Sequence, residues 1–415
     1  MSGQGLSAVG WLGIVVFVVG ILVSVMIHEA GHMVSAKHFG AKVTEFFVGF
    51  GPKLWSFRRG ETEYGIKGIP AGGYVKIVGM TDLETIAPED EERAFYRKPA
   101  WQRAVTLSAG SFMHLVLGIV LFWLAIFAFG NPVAGTPGNE LGTVLPCVPA
   151  VASAPCVKTD PPSPALAAGL QAGDKILSID GKPVTQWSDL TNAIRAKPGT
   201  EVTLVVDRAG TTLTKTMTPV SVVRGDLADP SKQVTVGALG VAAAPVAVTQ
   251  VRQGPVSALG TSLSMTWQTI TGSVTVILSL PAKLVQVTQV LLGNAERDPN
   301  GLISVVGISR IGGQIAQSGE LSAEGRIATI LALLAGFNIS VGVFNMLPLL
   351  PLDGGHVAVL AYERARAAIF RRRGQPEPPR PDMNKLLPLV YVVFLAFVAM
   401  TVLLVAADIL KPVQL

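Results

Sequence analysis

Charge is scarce in this chain. Of 415 residues, 33 are Lys or Arg and 28 are Asp or Glu, so charged residues make up 15%, against about 25% in an ordinary soluble domain. That is too little polar material to cover a soluble surface of this size. With 49% hydrophobic residues and a mean hydropathy of +0.49, disorder, collagen and coiled coil are excluded as well. Residues 1–8 lack Lys and Arg altogether, which excludes the basic start of a secretory signal. Cysteine is limited to two residues and histidine to five.

What is abundant is apolar sequence, and it comes in runs. Val9 to Ile27 is nineteen residues without a charge. Val105–Gly130 is broken only by small polar residues and His114, and Ile327–Leu352 and Leu386–Ala407 are uncharged. About 20 such residues cross a hydrocarbon core as helix, so four transmembrane helices are predicted. The first run leads into a charged motif with no small-residue cleavage site, so it is expected to remain a span. Residues 255–292 form a further apolar stretch, interrupted by Pro281 and Lys283. It is expected to lie as an interfacial helix on the outer leaflet, because a fifth crossing would separate the two polar motifs described below.

Orientation follows from Lys and Arg. Eleven lie between Lys37 and Arg103 and seven between Arg364 and Lys385, whereas residues 131–150 have none. Both basic tracts are therefore expected on the cytoplasmic side, with the termini outside. The net charge of +5 reflects this topology, and no nucleic-acid footprint is present. Cys147 and Cys156, nine positions apart, fall in the segment expected outside, where a disulfide can persist; two free thiols remain the alternative.

Residues 131–326 are mostly soluble in character and too long for a connector. Ser163-Pro-Ala-Leu-Ala-Ala-Gly-Leu leads to Ala172-Gly-Asp-Lys-Ile-Leu-Ser-Ile-Asp-Gly and Trp187-Ser-Asp-Leu-Thr-Asn-Ala-Ile. Val202 to Gly210 then alternates like a strand running into a turn. This order resembles a bacterial PDZ domain over residues 138–222. Such a domain takes an extended peptide against a sheet edge, or serves only as a steric filter with an empty groove. The residues leave both open.

The first span ends in His28-Glu29-Ala30-Gly31-His32. On a helix, positions i and i+4 share a face, so both imidazoles can bind one zinc ion with Glu29 beside them. Ionisable residues at membrane depth are expensive and mark function. A hydrolytic zinc site usually has three protein ligands, and the candidate third lies 321 residues after His32. It is found in Asn345-Met-Leu-Pro-Leu-Leu-Pro-Leu-Asp353-Gly-Gly-His356. Asp353 is the sole acidic residue between Glu324 and Glu363, and two prolines free backbone there, which is tolerable only where it lines protein or water.

HExxH at the end of a first span, a central PDZ segment and N-x-x-P-x-x-P-L-D-G at a later span together resemble the site-2 protease family of intramembrane zinc metalloproteases. The likeness is closest to the bacterial regulator-of-sigma-E group and its single-PDZ actinobacterial type. It covers essentially the whole chain. It implies that His28, His32 and Asp353 ligate Zn²⁺, that Glu29 is the catalytic base and that Asn345 binds substrate backbone or the oxyanion. Ile69-Pro-Ala-Gly-Gly-Tyr74-Val-Lys resembles the family's membrane-associated β-hairpin, placing Gly72, Gly73 and Tyr74 against an unwound substrate, on an edge expected from Gly65 to Val78. Substrates would be single-span membrane proteins such as anti-sigma factors, already shortened by another protease. Two departures stand out: Ser340 where relatives carry a second Asn, and Gly110-Ser-Phe-Met-His114 where many show G-P-x-x-N. His114 is expected to be packed or bonded between helices, His356 to lie beside the metal site, and His38 to be on the surface.

The expected fold is a polytopic α-helical membrane protein with an inserted extracytoplasmic α+β PDZ domain. Its order is 1–130 with two spans, HExxH and the hairpin; 138–222, the PDZ domain; 223–326, interfacial helices; and 327–415 with the last two spans. The expected activity is zinc-dependent peptide hydrolysis in a membrane. A catalytically silent PDZ-bearing adaptor is the rival, and an intact HExxH disfavours it. A transporter would need a pair of broken repeat helices.

Overall fold

A computed structural model describes residues 6–80, 86–149, 156–157, 159–225, 233–246, 248–293, 297–298, 301–319, 321–376, 378–379, 381 and 383–413. Arg380 of the second basic tract, residues 151–155 between the cysteines and parts of the 223–326 region lie outside the described residues. The chain forms two compact units, residues 1–131 with 251–415, and residues 132–250. It opens with α1 (Ala8–His38), a hairpin of β1 (Val43–Arg59) and β2 (Thr62–Ile77), and α2 (Ala100–Leu124). There follow β3 (Asn131–Ala134), β4 (Leu141–Val144), α3 (Pro164–Ala167), β5 (Lys175–Ile179), β6 (Lys182–Pro183), α4 (Trp187–Arg195), β7 (Val202–Arg208) and β8 (Thr211–Met217). Next come β9 (Val220–Gly225), β10 (Gln233–Ala238), β11 (Val241–Ala243) and β12 (Val248–Val251). The chain ends in α5 (Pro255–Leu291), α6 (Val305–Gln317), α7 (Ala323–Asn345), α8 (Asp353–Arg372) and α9 (Leu387–Leu410).

In the helical unit, Ser7, Ser304 and Ser322 cap α1, α6 and α7, each accepting from a backbone N–H in the first turn. Glycine sets how closely these helices pack. A Cβ on Gly31 of α1 would collide with the Ala109 carbonyl and Met113 of α2, and one on Gly118 of α2 would collide with Ile339 of α7. The contacts step in opposite senses, His28 and His32 meeting Gly110 and Thr106, and Gly342, Asn338 and Ala335 meeting Ser111, His114 and Gly118, so α2 runs antiparallel to both α1 and α7. Helix α6 lies on the first turns of α1, where Gly13 meets Ala316 and Gln317 accepts from the Ser7 amide at 2.9 Å. Phe344 of α7 meets Phe397 of α9 at 5.4 Å between ring centroids.

Among the described residues, five helices are long and apolar enough to cross a membrane: α1, α2 with its continuation to Phe129, α5, α7 and α9. That is one more candidate than the four spans predicted from sequence. The addition is α5, a single helix of 37 residues that runs through Pro281, over the stretch expected to be an interfacial helix. The Pro255 carbonyl accepts from Trp123 Nε1 at 2.9 Å, Ser273 meets Ser340 of α7 at 3.0 Å, and Val287 packs with Leu404 and Ala407 of α9.

The second unit is built on the antiparallel order β6-β5-β7-β8. Val202, Leu204 and Val206 alternate inward along β7 and pack with Ile176, Ile179 and, from α4, Leu190. Ala209 and Gly210 both have positive φ, the conformation of a two-residue hairpin turn. Strand β7 and its turn thus form where the sequence alternation places them. Cys147 and Cys156 are disulfide-bonded.

Asp174 ties this sheet together. Its carboxylate, with 1% of the side chain exposed, accepts from Arg208 Nε at 2.7 Å and from a terminal Arg208 nitrogen at 2.8 Å. The guanidinium holds the Asp174 carboxyl below its ordinary value. Its contribution to stability is therefore full above the unfolded aspartate pKa of about 3.9 and is lost as pH falls through the lower folded value. Asp174→Asn should destabilise this unit by about 3 kcal/mol, the cost of breaking a buried pair, read as lost amide-exchange protection in β5 and β7 of the full chain at pH 7. The deficit against wild type should shrink once pH drops below about 4; unchanged protection at pH 7 would refute the assignment.

Candidate active site

Three elements far apart in sequence bring their polar ends together. His28 and His32 stand one turn apart on α1, as the i, i+4 spacing requires, and both are buried. Asp353 is the first residue of α8. It reaches the histidines because the preceding loop folds tightly onto that first turn: a Cβ on Gly354 would strike the Met346 and Leu347 carbonyls, and one on Gly355 would strike Leu349 and Leu350. The Leu-Asp-Gly-Gly sequence is thus a packing requirement as well as the source of a candidate ligand.

The donor atoms form a nearly regular triangle. His28 Nε2 and His32 Nε2 are 3.2 Å apart, and they lie 3.4 and 3.5 Å from Asp353 Oδ2. Zinc bonds of about 2.0–2.1 Å in tetrahedral geometry put neighbouring donors about 3.3 Å apart. The three atoms therefore match one face of a zinc tetrahedron, leaving a fourth position for water or substrate. Among the described residues, this trio is the only group of three or more His, Cys, Asp or Glu able to hold a metal ion.

Surrounding groups hold the ligands in register. His32 Nδ1 lies 2.7 Å from the Thr106 carbonyl of α2, so that nitrogen carries the proton and Nε2 keeps its lone pair for a metal. Ser111 Oγ donates to Asp353 Oδ2 at 3.3 Å. Gly110 faces the two imidazoles so closely that a Cβ there would overlap both rings. Thr106, Gly110 and Ser111 are the contributors that sequence reasoning did not assign. A glycine inside an apolar helix signals close approach, and it was the available clue. His114, 2% exposed, sits 2.8 Å from Asn338 Oδ1 on α7 through Nδ1, an interhelical bond and not part of the trio. His356 lines a cavity of about 50 Å³ with Met80, Phe95 and Leu360, and His38 is exposed.

The hairpin folds back on itself. Glu45–Val48 of β1 pair on one side with Glu63–Ile66 and on the other with Gly73–Lys76, while Trp55–Arg58 cover the outer side of Glu63–Ile66. Gly49 and Gly51, with positive φ, let β1 turn within the sheet. Gly65 is thereby paired on both sides, and the open edge is narrower than the Gly65–Val78 segment expected from sequence: it is the second half of β2. This edge passes the helix that carries Glu29, since a Cβ on Gly73 would lie 2.7 Å from Met26 Sδ and 3.6 Å from Glu29 Cγ. Gly72 has φ +124°, a value that favours glycine. Tyr74 stacks on Phe47 and Phe50 and donates to Glu45, so its ring serves the hairpin while its backbone lies on the edge. Asn345 ends α7, half-buried, and its side chain bonds to none of the described residues.

Comparison with known proteins agrees with this geometry. The profile of peptidase family M50 matches residues 16–376. Zinc metalloprotease Rip1 of Mycobacterium tuberculosis is 37% identical over 416 residues, covering 97% of this chain and 98% of that protein. Its namesake in Mycolicibacterium smegmatis is 36% identical over 412 residues, with the same coverage. Regulator of sigma-E protease RseP of Salmonella typhimurium is 29% identical over 449 residues, covering 86% and 92%.

The role of Gly110 is open to test. Gly110→Ala favours helix formation in itself but drives a methyl group into both imidazoles. Zinc affinity, measured by chelator competition, should fall at least about tenfold, as for other supporting groups of metal sites. Helix content by circular dichroism should be unchanged. Unaltered zinc retention would show that the two rings have room to spare.

Proposed function

This chain belongs to peptidase family M50 and is a zinc metalloprotease, and from that premise we propose that it cleaves single-span membrane proteins in or near their membrane segment, with zinc held by His28, His32 and Asp353. The observation that carries the reading is the donor triangle beside an open strand edge. When bound, zinc supplies a Lewis acid that acidifies water and polarises the scissile carbonyl.

Glu29, between the two histidines and next to the edge, takes the proton from the attacking water and delivers it to the departing amine nitrogen. Asn345, whose amide has no competing bond among the described residues, donates to the substrate backbone or the developing oxyanion, a contact worth about 3 kcal/mol in transition-state stabilisation. A substrate helix hides its amides in its own hydrogen-bond ladder and must unwind before attack. The edge at Gly72–Ile77 offers replacement partners, with Gly72 and Gly73 letting another backbone come close. The name of one relative ties such proteases to sigma-factor regulation; anti-sigma-like proteins, shortened by a prior cut, are the substrates we assign here. Residues 138–222 are read as a PDZ domain that screens or engages their outer parts.

In this reading α1, α2, α7 and α9 cross the membrane and α5 does not. The C-terminal ends of α2 and α9 lie on one side: α2 ends where α1 begins, and the Ser304 amide that starts α6, the helix on the first turns of α1, donates to Asp408 near the end of α9 at 2.6 Å. Helix α5 starts beside the first of these ends at Trp123 and finishes beside the second at Leu404 and Ala407. A crossing helix would finish at the opposite end; α5 instead reaches inward as far as Ser340 of α7 at its middle and ends on the side where it began. The eighteen Lys and Arg of the two basic tracts set the other side as cytoplasmic.

Glu29→Gln should retain close to one zinc per chain while cleavage of a membrane-anchored reporter falls by at least about 10²-fold. Undiminished cleavage would sink the mechanism, and a wild-type chain that binds no zinc would favour the silent adaptor. For the topology, Val256→Cys and Leu292→Cys mark the two ends of α5, and a membrane-impermeant thiol reagent should reach both from outside the cell. Labelling of one end only from the cytoplasmic side would make α5 a fifth span.

A further inference from the structure

Helices α1 and α6 enclose a groove of about 500 Å³. Trp11, Ile14 and Val18 of α1 form one wall, and Val305 and Val306 of α6 form the other. Trp11, Val18, Val305 and Val306 are exposed, so the groove opens to the surroundings of these helices. Helix α1 is long and apolar enough to cross a membrane, which makes lipid the natural neighbour of its open face.

One cation stands in this apolar setting. Arg310 lines the groove, its Nε is buried without an acceptor, and it meets no carboxylate among the described residues. Helix α6 itself carries no acidic residue. The carboxylate that does reach α6, Asp408 against Gly307, is taken up by Arg297 at 2.5 Å and by the Ser304 amide at 2.6 Å. Ser309, the other polar residue of the lining, donates its hydroxyl to the Val305 carbonyl at 2.7 Å. It keeps a lone pair and has no hydrogen to offer an anion. A guanidinium against apolar surface costs free energy unless an anion joins it.

The level of Arg310 fits a membrane surface. Gly307, which meets Asp408, is one helical turn away from it, so the guanidinium stands close to where α9 ends at Leu410. Headgroups begin where spanning helices end, and Trp11 is of the type enriched at that boundary. The groove thus pairs a cation at headgroup level with walls that continue along the apolar part of α1.

We propose that this groove binds an anionic phospholipid of the phosphatidylglycerol type. Its phosphodiester pairs with Arg310, and one acyl chain lies on Ile14, Val18 and Val306. Guanidinium and phosphate match in a bidentate, charge-assisted geometry. A singly negative lipid neutralises the one cation, whereas a zwitterionic headgroup brings a second cation for which the groove has no carboxylate. A glycerol headgroup also supplies a hydroxyl that can donate to Ser309. The bound lipid favours the packing of α6 on α1 by mass action. Its origin in the outer leaflet rests on the topology proposed above; the site itself does not.

The test uses the full-length wild-type chain in neutral detergent and native mass spectrometry, with phosphatidylglycerol and phosphatidylcholine of identical acyl chains added in turn. Phosphatidylglycerol should be retained at least about fivefold more than phosphatidylcholine. Arg310→Gln should remove most of that preference and Arg310→Lys should keep part of it. Val306→Trp, which fills the groove, should lower retention of both lipids. Lys411→Gln, which removes an exposed cation just beyond α9 and outside the groove, should change nothing. Zinc and helix content should be unaltered in all four variants, so that lost binding is not lost fold. Equal retention of the two lipids, indifference to Arg310→Gln or Val306→Trp, or an equal loss with Lys411→Gln would overturn the proposal. Displacement of the lipid by inorganic phosphate would reveal an anion site without a tail, and displacement by a neutral transmembrane peptide would reveal a helix-docking surface; either result also overturns it. Every readout is lipid retention, so failure here leaves reporter cleavage, the test of the protease reading, untouched.

Discussion

The contact of α1 with α2 at Gly31 and Gly110 is the constraint on which the rest of the structure depends. Side chains at these positions would hold the helices apart by the thickness of a methyl group or more. At that separation the Thr106 carbonyl would no longer reach His32, and Ser111 would no longer reach Asp353. The approach also fills the space behind both imidazoles, so the rings are confined to one arrangement before any ligand arrives. Preorganisation of this kind is cheap in backbone terms, because it uses residues with no side chain to order, and it is intolerant of substitution for the same reason.

Asp353 depends on a second close approach. The Met346–Leu352 loop lies directly against Gly354 and Gly355, which places the first residue of α8 at the histidines. A carboxylate supplied by a helix start is held by that helix's own geometry, and its neighbours on α8 cannot substitute for it. Two glycine-mediated contacts, one between helices and one between a loop and a helix, thus bring together candidate ligands that lie 321 residues apart in the chain.

The sequence made some of this legible and hid the rest for physical reasons. Helix α1 and its HExxH could be read from local periodicity, since i and i+4 share a face whatever the tertiary fold. Asp353 stood out as a lone acid at the edge of an apolar run and so as the candidate third ligand, and resemblance to a family then strengthened its pairing with α1. Gly110 was visible as a glycine and mute about its role, because a glycine in an apolar helix marks close approach without naming the partner. The hairpin concealed its sheet order, which depends on β1 pairing with two separate stretches of β2. Helix α5 was legible as a helix, but its relation to the membrane was not, because Pro281 and Lys283 break the apolar run while the 37-residue helix continues through them.

Under the proposed function, the hairpin's fold has a consequence for selectivity. With Gly65 enclosed and the second half of β2 the part of that strand left open, the exposed edge from Gly72 to Ile77 spans six positions, about 20 Å of extended chain. Backbone bonding along such an edge is indifferent to side-chain identity. It rewards a polypeptide that can surrender roughly two turns of helix at low cost and is blind to one that resists. On that proposal the enzyme is a gauge of how readily a membrane segment melts. Glycine, proline or polar residues that loosen a transmembrane helix would then determine susceptibility more than any consensus around the cut bond.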